Sequence, residues 1–135
     1  MEACPEVLDA LCPMHAIIDT AGRIRHVGPT LAKLRSRATL ESSHVLDVFE
    51  VTRPRGVTSF ETLVGHGRSG LHLRFRDCPR TKFKGVLVAL PGAGAILHLS
   101  FGISILDAVR DYALTNGDFA PTDLAVEMLY LLEAK

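Results

Sequence analysis

Histidines are the side chains of this chain with the widest chemical range, because imidazole ligates metals and carries protons near neutral pH. Leu97, Leu99 and Phe101 alternate with Ile96 and His98, so if the first set faces a core, His98 points the other way with Ile96. The same alternation of Met14, Ala16 and Ile18 places His15 with Ile17 on that outer side, and His72 falls there too. A metal centre needs three or four converging ligands with support behind them. Two or three histidines on a sheet surface without a carboxylate do not meet that requirement, so no metal is expected. His66 stands among Gly65, Gly67 and Arg68, the composition of an exposed helix end.

Other catalytic patterns are missing. Ser100 and Ser104 lack a Gly-x-Ser-x-Gly setting. Gly92-Ala93-Gly94 is a turn and not a phosphate cradle, since no helix opening with Lys-Ser/Thr follows. Glu61 and Asp77 show no paired-carboxylate spacing. Arg35, Arg37, Arg53, Arg55, Arg74 and Arg76 are scattered, as on a solvated face. The chain is therefore expected to be no enzyme and to carry no cofactor of its own.

Bulk properties agree with a single soluble domain spanning residues 1–135. An apolar fraction of 47% supports a core, and a charged fraction of 22% is ordinary. Fifteen basic residues balance fifteen acidic ones, without the basic excess that binding to nucleic acid phosphates requires. The longest apolar run, residues 86–90, is far too short to span a bilayer. Residues 1–5 lack the basic and apolar regions of a signal peptide. Cys4, Cys12 and Cys78 are odd in number and form no CxxC pair, which favours free thiols in a reducing cytoplasm.

The elements that must position these residues follow from periodicity. Val7, Leu8 and Leu11 mark a short amphipathic helix over residues 6–11, stopped by Cys12-Pro13. Residues 14–19 and 23–28 flank Thr20-Ala21-Gly22 as a hairpin. A helix opens at Pro29 with Leu31, Leu34 and Ala38 along one side. Residues 39–43 read as a loop, 44–49 as one apolar turn and 50–54 as a short extended piece ended by Pro54. Thr58 and Glu61 read as a capping box for a helix ending at Gly65 or Gly67. Leu71, Leu73 and Phe75 alternate with His72, Arg74 and Arg76 as a half-buried strand. Strands over 82–90 and 95–101 surround a turn at 91–94. Residues 106–114 read as helical, and residues 122–135 form a closing helix with Leu124, Met128, Leu131 and Leu132 on one side. The expected fold is α+β, a five-stranded antiparallel sheet with helices on one face.

Four blocks in order carry a family resemblance: Cys12-Pro13-Met14-His15-Ala16-Ile17-Ile18-Asp19, then Leu46-Asp47-Val48-Phe49-Glu50-Val51-Thr52-Arg53-Pro54-Arg55 with Phe60-Glu61, then Phe83-Lys84-Gly85, then Asp118-Phe119-Ala120-Pro121-Thr122-Asp123. Together they resemble the heme-NO-binding-associated domain (HNOBA, H-NOX-associated), a PAS-like module of guanylate cyclases and bacterial histidine kinases. Cys12 and Met14 stand where the family has aromatics, and Thr122 where a histidine is common.

The resemblance implies a PAS-like fold and a homodimer. It also implies a relay role in nitric oxide signalling between an upstream heme NO-binding domain and a downstream cyclase or kinase, with residues 122–135 beginning a signalling helix that leads to a coiled coil. Residues 1–12 would form a dimerisation helix, with Val7, Leu8, Leu11, Ile17, Ile96 and His98 at the interface. The alternative is a sensory PAS domain holding heme or a small apolar molecule, for which His66 is the candidate heme ligand. The absence of cysteine between Leu31 and Asp77 argues against a photoactive flavin domain.

Overall fold

The hairpin around Thr20-Ala21-Gly22 forms as expected, and one side chain fixes its turn. Asp19 Oδ1 accepts hydrogen bonds from the Ala21 and Arg23 amides at 2.9 and 3.0 Å, while Gly22 takes φ 86°. A computed structural model describes residues 5–101, 105–115 and 118–119. Helix α1 (Pro5–Leu11) leads into β1 (His15–Ile18) and β2 (Ile24–Val27). Four short helices follow or flank the next strand: α2 (Pro29–Leu34), α3 (Arg37–Leu40), α4 (Val45–Val48), then β3 (Phe49–Arg53) and α5 (Phe60–His66). The second half supplies β4 (Leu71–Phe75), β5 (Lys82–Leu90), β6 (Gly94–Ser100) and α6 (Ile105–Tyr112). The closing helix expected over residues 122–135, and Cys4, lie outside the described residues.

The sheet is antiparallel and has six strands in the order β2-β1-β6-β5-β4-β3. Sequence alone gave five. The added strand is the extended piece before Pro54, which pairs Phe49 with Phe75 and Val51 with Leu73. Two alternating apolar residues suffice to seat it. Proline directly after it is tolerated because β3 is an edge strand.

Two further expectations shift. The helix opening at Pro29 ends at Leu34, because Arg35 turns extended (φ −146°, ψ 138°) and Ser36 caps a separate helix, its Oγ accepting from the Thr39 amide at 3.2 Å. Ala38 is consequently exposed instead of facing the core. The cap of α5 is Ser59, not Thr58: Ser59 Oγ accepts from the Thr62 amide at 3.2 Å, so Glu61 is one position early for a capping box.

The core lies between the inner sheet face and the short helices. Ala16, Ile18, Leu71, Leu73, Leu87, Leu97 and Leu99 from the sheet meet Leu31, Leu34, Leu40, Val45 and Leu63. A chain of rings runs through it. Phe49 stacks on Phe75 at 5.3 Å, Phe75 meets Phe83 edge-on at 5.1 Å, and Phe83, Phe101 and Phe119 continue at 5.4 and 6.2 Å. Gly94 closes the β5–β6 turn at φ 94°, and a Cβ there would run into the Ile18 carbonyl oxygen.

Candidate functional site

The outer sheet face carries the chemistry that the core excludes. Its rows follow from register: Ile17 opposite Ile96 opposite Val88, and His15 opposite His98 opposite Val86. His15 and His98, both expected on this face, form a direct cross-strand pair. Val86 and Val88 remain 43% and 40% exposed, and Ile17 and Ile96 are half-buried. Beyond them the face turns polar, with His72, Lys84 and Ser100 in one row.

Helix α1 touches this face through a polar residue. The sequence places Val7, Leu8 and Leu11 at a dimer interface, and in the single chain Val7 and Leu11 are 54% and 62% exposed and Leu8 is half-buried. Asp9 is the residue that meets the sheet. Its Oδ1 lies 2.8 Å from His26 Nε2 and 3.7 Å from His15 Nε2. The His15 and His26 rings sit 5.3 Å apart, centroid to centroid.

His15 is the most constrained of these groups. Its side chain is fully buried, and its Nδ1 is 2.7 Å from the Cys12 carbonyl oxygen. A carbonyl only accepts, so Nδ1 carries the proton. Burial lowers the His15 pKa from the usual 6.5, opposed by the Cys12 bond and the Asp9 charge, with His26 and His98 lowering it further. The neutral imidazole therefore points a bare Nε2 lone pair towards a carboxylate, and that nitrogen has no hydrogen-bond partner.

Neither Asp9 nor His26 was singled out by sequence reasoning. Asp9 is the carboxylate whose absence ruled out a metal there. It comes from a neighbouring helix, and spacings of six and eleven residues match no linear ligand motif. Asp9, His15 and His26 offer ligand atoms within 4.8 Å of one another.

The heme candidate His66 is exposed at the end of α5. Gly67 beside it packs against Leu87, where an added Cβ would meet the carbonyl oxygen at 2.6 Å. The space between helices and sheet, where a PAS ligand would sit, holds the buried Phe49, Phe75, Leu63, Leu73, Leu87 and Leu97. These residues do not fit a heme. A more open depression of about 350 Å³ lies between α5 and the β5–β6 turn, lined by Phe60, Val64, Ala89 and Leu90.

Four of the six scattered arginines prove to be ties. Arg35 donates through Nε and Nη2 to Asp77 at 3.1 and 2.8 Å and lies 4.3 Å above the Phe75 ring. Arg74 donates to Glu50 at 2.7 Å across β3 and β4. Arg76 and Arg37 donate to the Leu46 and Val27 carbonyls.

The blocks noted in the sequence have physical roles in this frame. Phe49 and Phe83 belong to the ring chain. Gly85 sits where a Cβ would come within 2.9 Å of Leu73 Cδ1 and 3.1 Å of Leu99 Cδ2. Asp118 accepts from Lys33 Nζ at 2.9 Å, and its carbonyl accepts from the Thr30 hydroxyl. Among the described residues, no helix is long and apolar enough to cross a membrane. No curated protein matches the chain. The family described as heme NO binding associated matches residues 2–84, more than half the chain, and takes in the first two blocks and Phe83-Lys84 of the third. This chain belongs to that family of heme NO binding associated domains.

Proposed function

We propose that the chain is a PAS-like, non-catalytic module that dimerises and relays a signal from a heme nitric oxide sensor domain to an output enzyme, a cyclase or a histidine kinase. Five strands in the order β2-β1-β6-β5-β4, with β3 added at one edge, support the PAS-like reading. Family membership supports the place beside a heme NO-binding domain. The free thiols of Cys12 and Cys78 fit work in the cytoplasm.

One observation carries the dimer: an apolar strip of Ile17, Ile96, Val88 and Val86 lies across the centre of the outer face, with exposed Val7 and Leu11 on α1. Apolar surface of this kind is usually covered by a partner. A second copy meeting it about a twofold axis makes an isologous contact. Small shifts between two packings of that dimer would then bias the output domain.

Sedimentation of the purified chain across a concentration series tests this, with an absorbance scan after expression with heme supplied. A colourless dimer is the expected result. A monomer at all concentrations overturns the dimer, and a coloured monomer favours the sensory alternative.

A further inference from the structure

The α1–sheet junction holds a nitrogen lone pair with nothing to receive it. His15 Nδ1 is committed to the Cys12 carbonyl at 2.7 Å, which leaves Nε2 as an acceptor. What it faces is Asp9 Oδ1 at 3.7 Å, another acceptor. Two acceptors pointed at each other, one fully buried, are unfavourable unless a positive centre lies between them. Protonated, Nε2 would still stand 3.7 Å from the Asp9 oxygen, beyond hydrogen-bond reach.

We propose that Asp9 Oδ1, His15 Nε2 and His26 Nε2 bind a divalent cation of the zinc class, pinning α1 to strands β1 and β2. Two imidazoles and one carboxylate suit borderline divalent ions and leave a fourth position for water. Ligands about 2.0 Å from a tetrahedral ion stand about 3.3 Å apart. The two observed separations from Asp9 Oδ1, 2.8 and 3.7 Å, bracket that value. Small rotations of Asp9 and His26, both partly exposed, equalise them. The buried His15 needs no movement: the Cys12 carbonyl already fixes its tautomer and ring plane, as second-shell acceptors do for metal-bound histidine. On binding, the His26 proton moves from Nε2 to Nδ1, freeing Nε2 to ligate. The site is independent of whether the chain relays a signal.

The test is calorimetric titration of the chelator-stripped full chain with zinc chloride, repeated with cobalt(II) for its visible absorption. A single equivalent bound with low-micromolar affinity, and cobalt bands of four-coordinate intensity, are expected. Asp9→Asn and His26→Ala should each weaken binding at least about tenfold, with circular dichroism unchanged. His72→Ala, three strands away from β1 on the same face, should bind like the parent. Absence of saturable binding by the parent overturns the site. So does parental affinity in either Asp9→Asn or His26→Ala, or loss of binding in His72→Ala. His15→Gln should also lose binding. If that variant does not fold, the two exposed-ligand variants decide.

Discussion

The two faces of one sheet are built for different ends, and strand β5 shows both in alternate residues. Phe83, Gly85 and Leu87 are buried inward, while Lys84, Val86 and Val88 are exposed outward. The inner face is uniform along its length, apolar from Phe49 at one edge to Val27 at the other. The outer face divides into three: a polar end at α1, an apolar centre, and a charged end around Glu50, Arg74 and Lys84. Period-two geometry lets a single strand serve both without conflict. Stability therefore rests on one face, and the proposed contacts lie on the other.

The sharpest break of that comparison is Phe75→Ala. Phe75 touches Phe49 and Phe83 and is fully buried. Removing its ring should cost about 3–5 kcal/mol and lower Tm by roughly 10 °C or more, read by thermal unfolding. An unchanged Tm would mean that the inner face does not carry the fold.

On the outer face the same logic gives the opposite signature. Ile96→Asp and Leu8→Asp should weaken self-association at least about tenfold, equivalent to about 1.4 kcal/mol, while the circular dichroism spectrum stays folded. Sedimentation of both variants beside the parent decides this. If both associate like the parent, the interface lies elsewhere.

The inner face was legible from sequence because burial on a strand leaves a period-two record, as in Leu71-His72-Leu73-Arg74-Phe75. The outward direction of His15 and His98 was legible for the same reason, while their register across β1 and β6 was not. What escaped was contact between elements. Asp9 reaches His15 and His26 only because the chain turns at Cys12-Pro13, and no periodicity encodes which side of α1 then meets the sheet. The break at Arg35 escaped likewise: its partner Asp77 is distant in sequence, and an arginine at that position is an ordinary helix residue. The sixth strand was visible as an extended piece. Its membership in the sheet depended on Phe49 and Val51 finding Phe75 and Leu73.

His15 sharpens the comparison in a smaller way, since it is the outer-face residue buried like a core residue. Burial lowers its pKa in the folded chain, against 6.5 as the ordinary value for an unfolded one. The unfolded chain therefore binds more protons in the interval between the two values. Stability from this group is fully present above pH 6.5, declines as pH falls towards the folded value, and levels off below it. In chelator-stripped samples, the loss of Tm on acidification below pH 6.5 should shrink in His15→Gln. An identical pH profile in the two proteins would mean that His15 titrates alike in the folded and unfolded chains, and a larger loss in His15→Gln would mean that Asp9 keeps the buried imidazole charged.

The smallest expected effect lies at the polar rim, where the two faces meet solvent. Asp77 is 68% exposed, and Arg35 holds its carboxyl below the usual carboxylate range through the paired hydrogen bonds. An exposed pair of this kind contributes less than about 1 kcal/mol, so Asp77→Asn should move Tm by only a few degrees. Arg35→Lys should cost more than Asp77→Asn, although it keeps the positive charge. Lysine loses the planar fork and, with it, the cover that the guanidinium gives the Phe75 ring. If the order of these two variants reverses, the ion pair outweighs the stacking. Arg35 would then belong with the charged rim instead of with the core that it overlies.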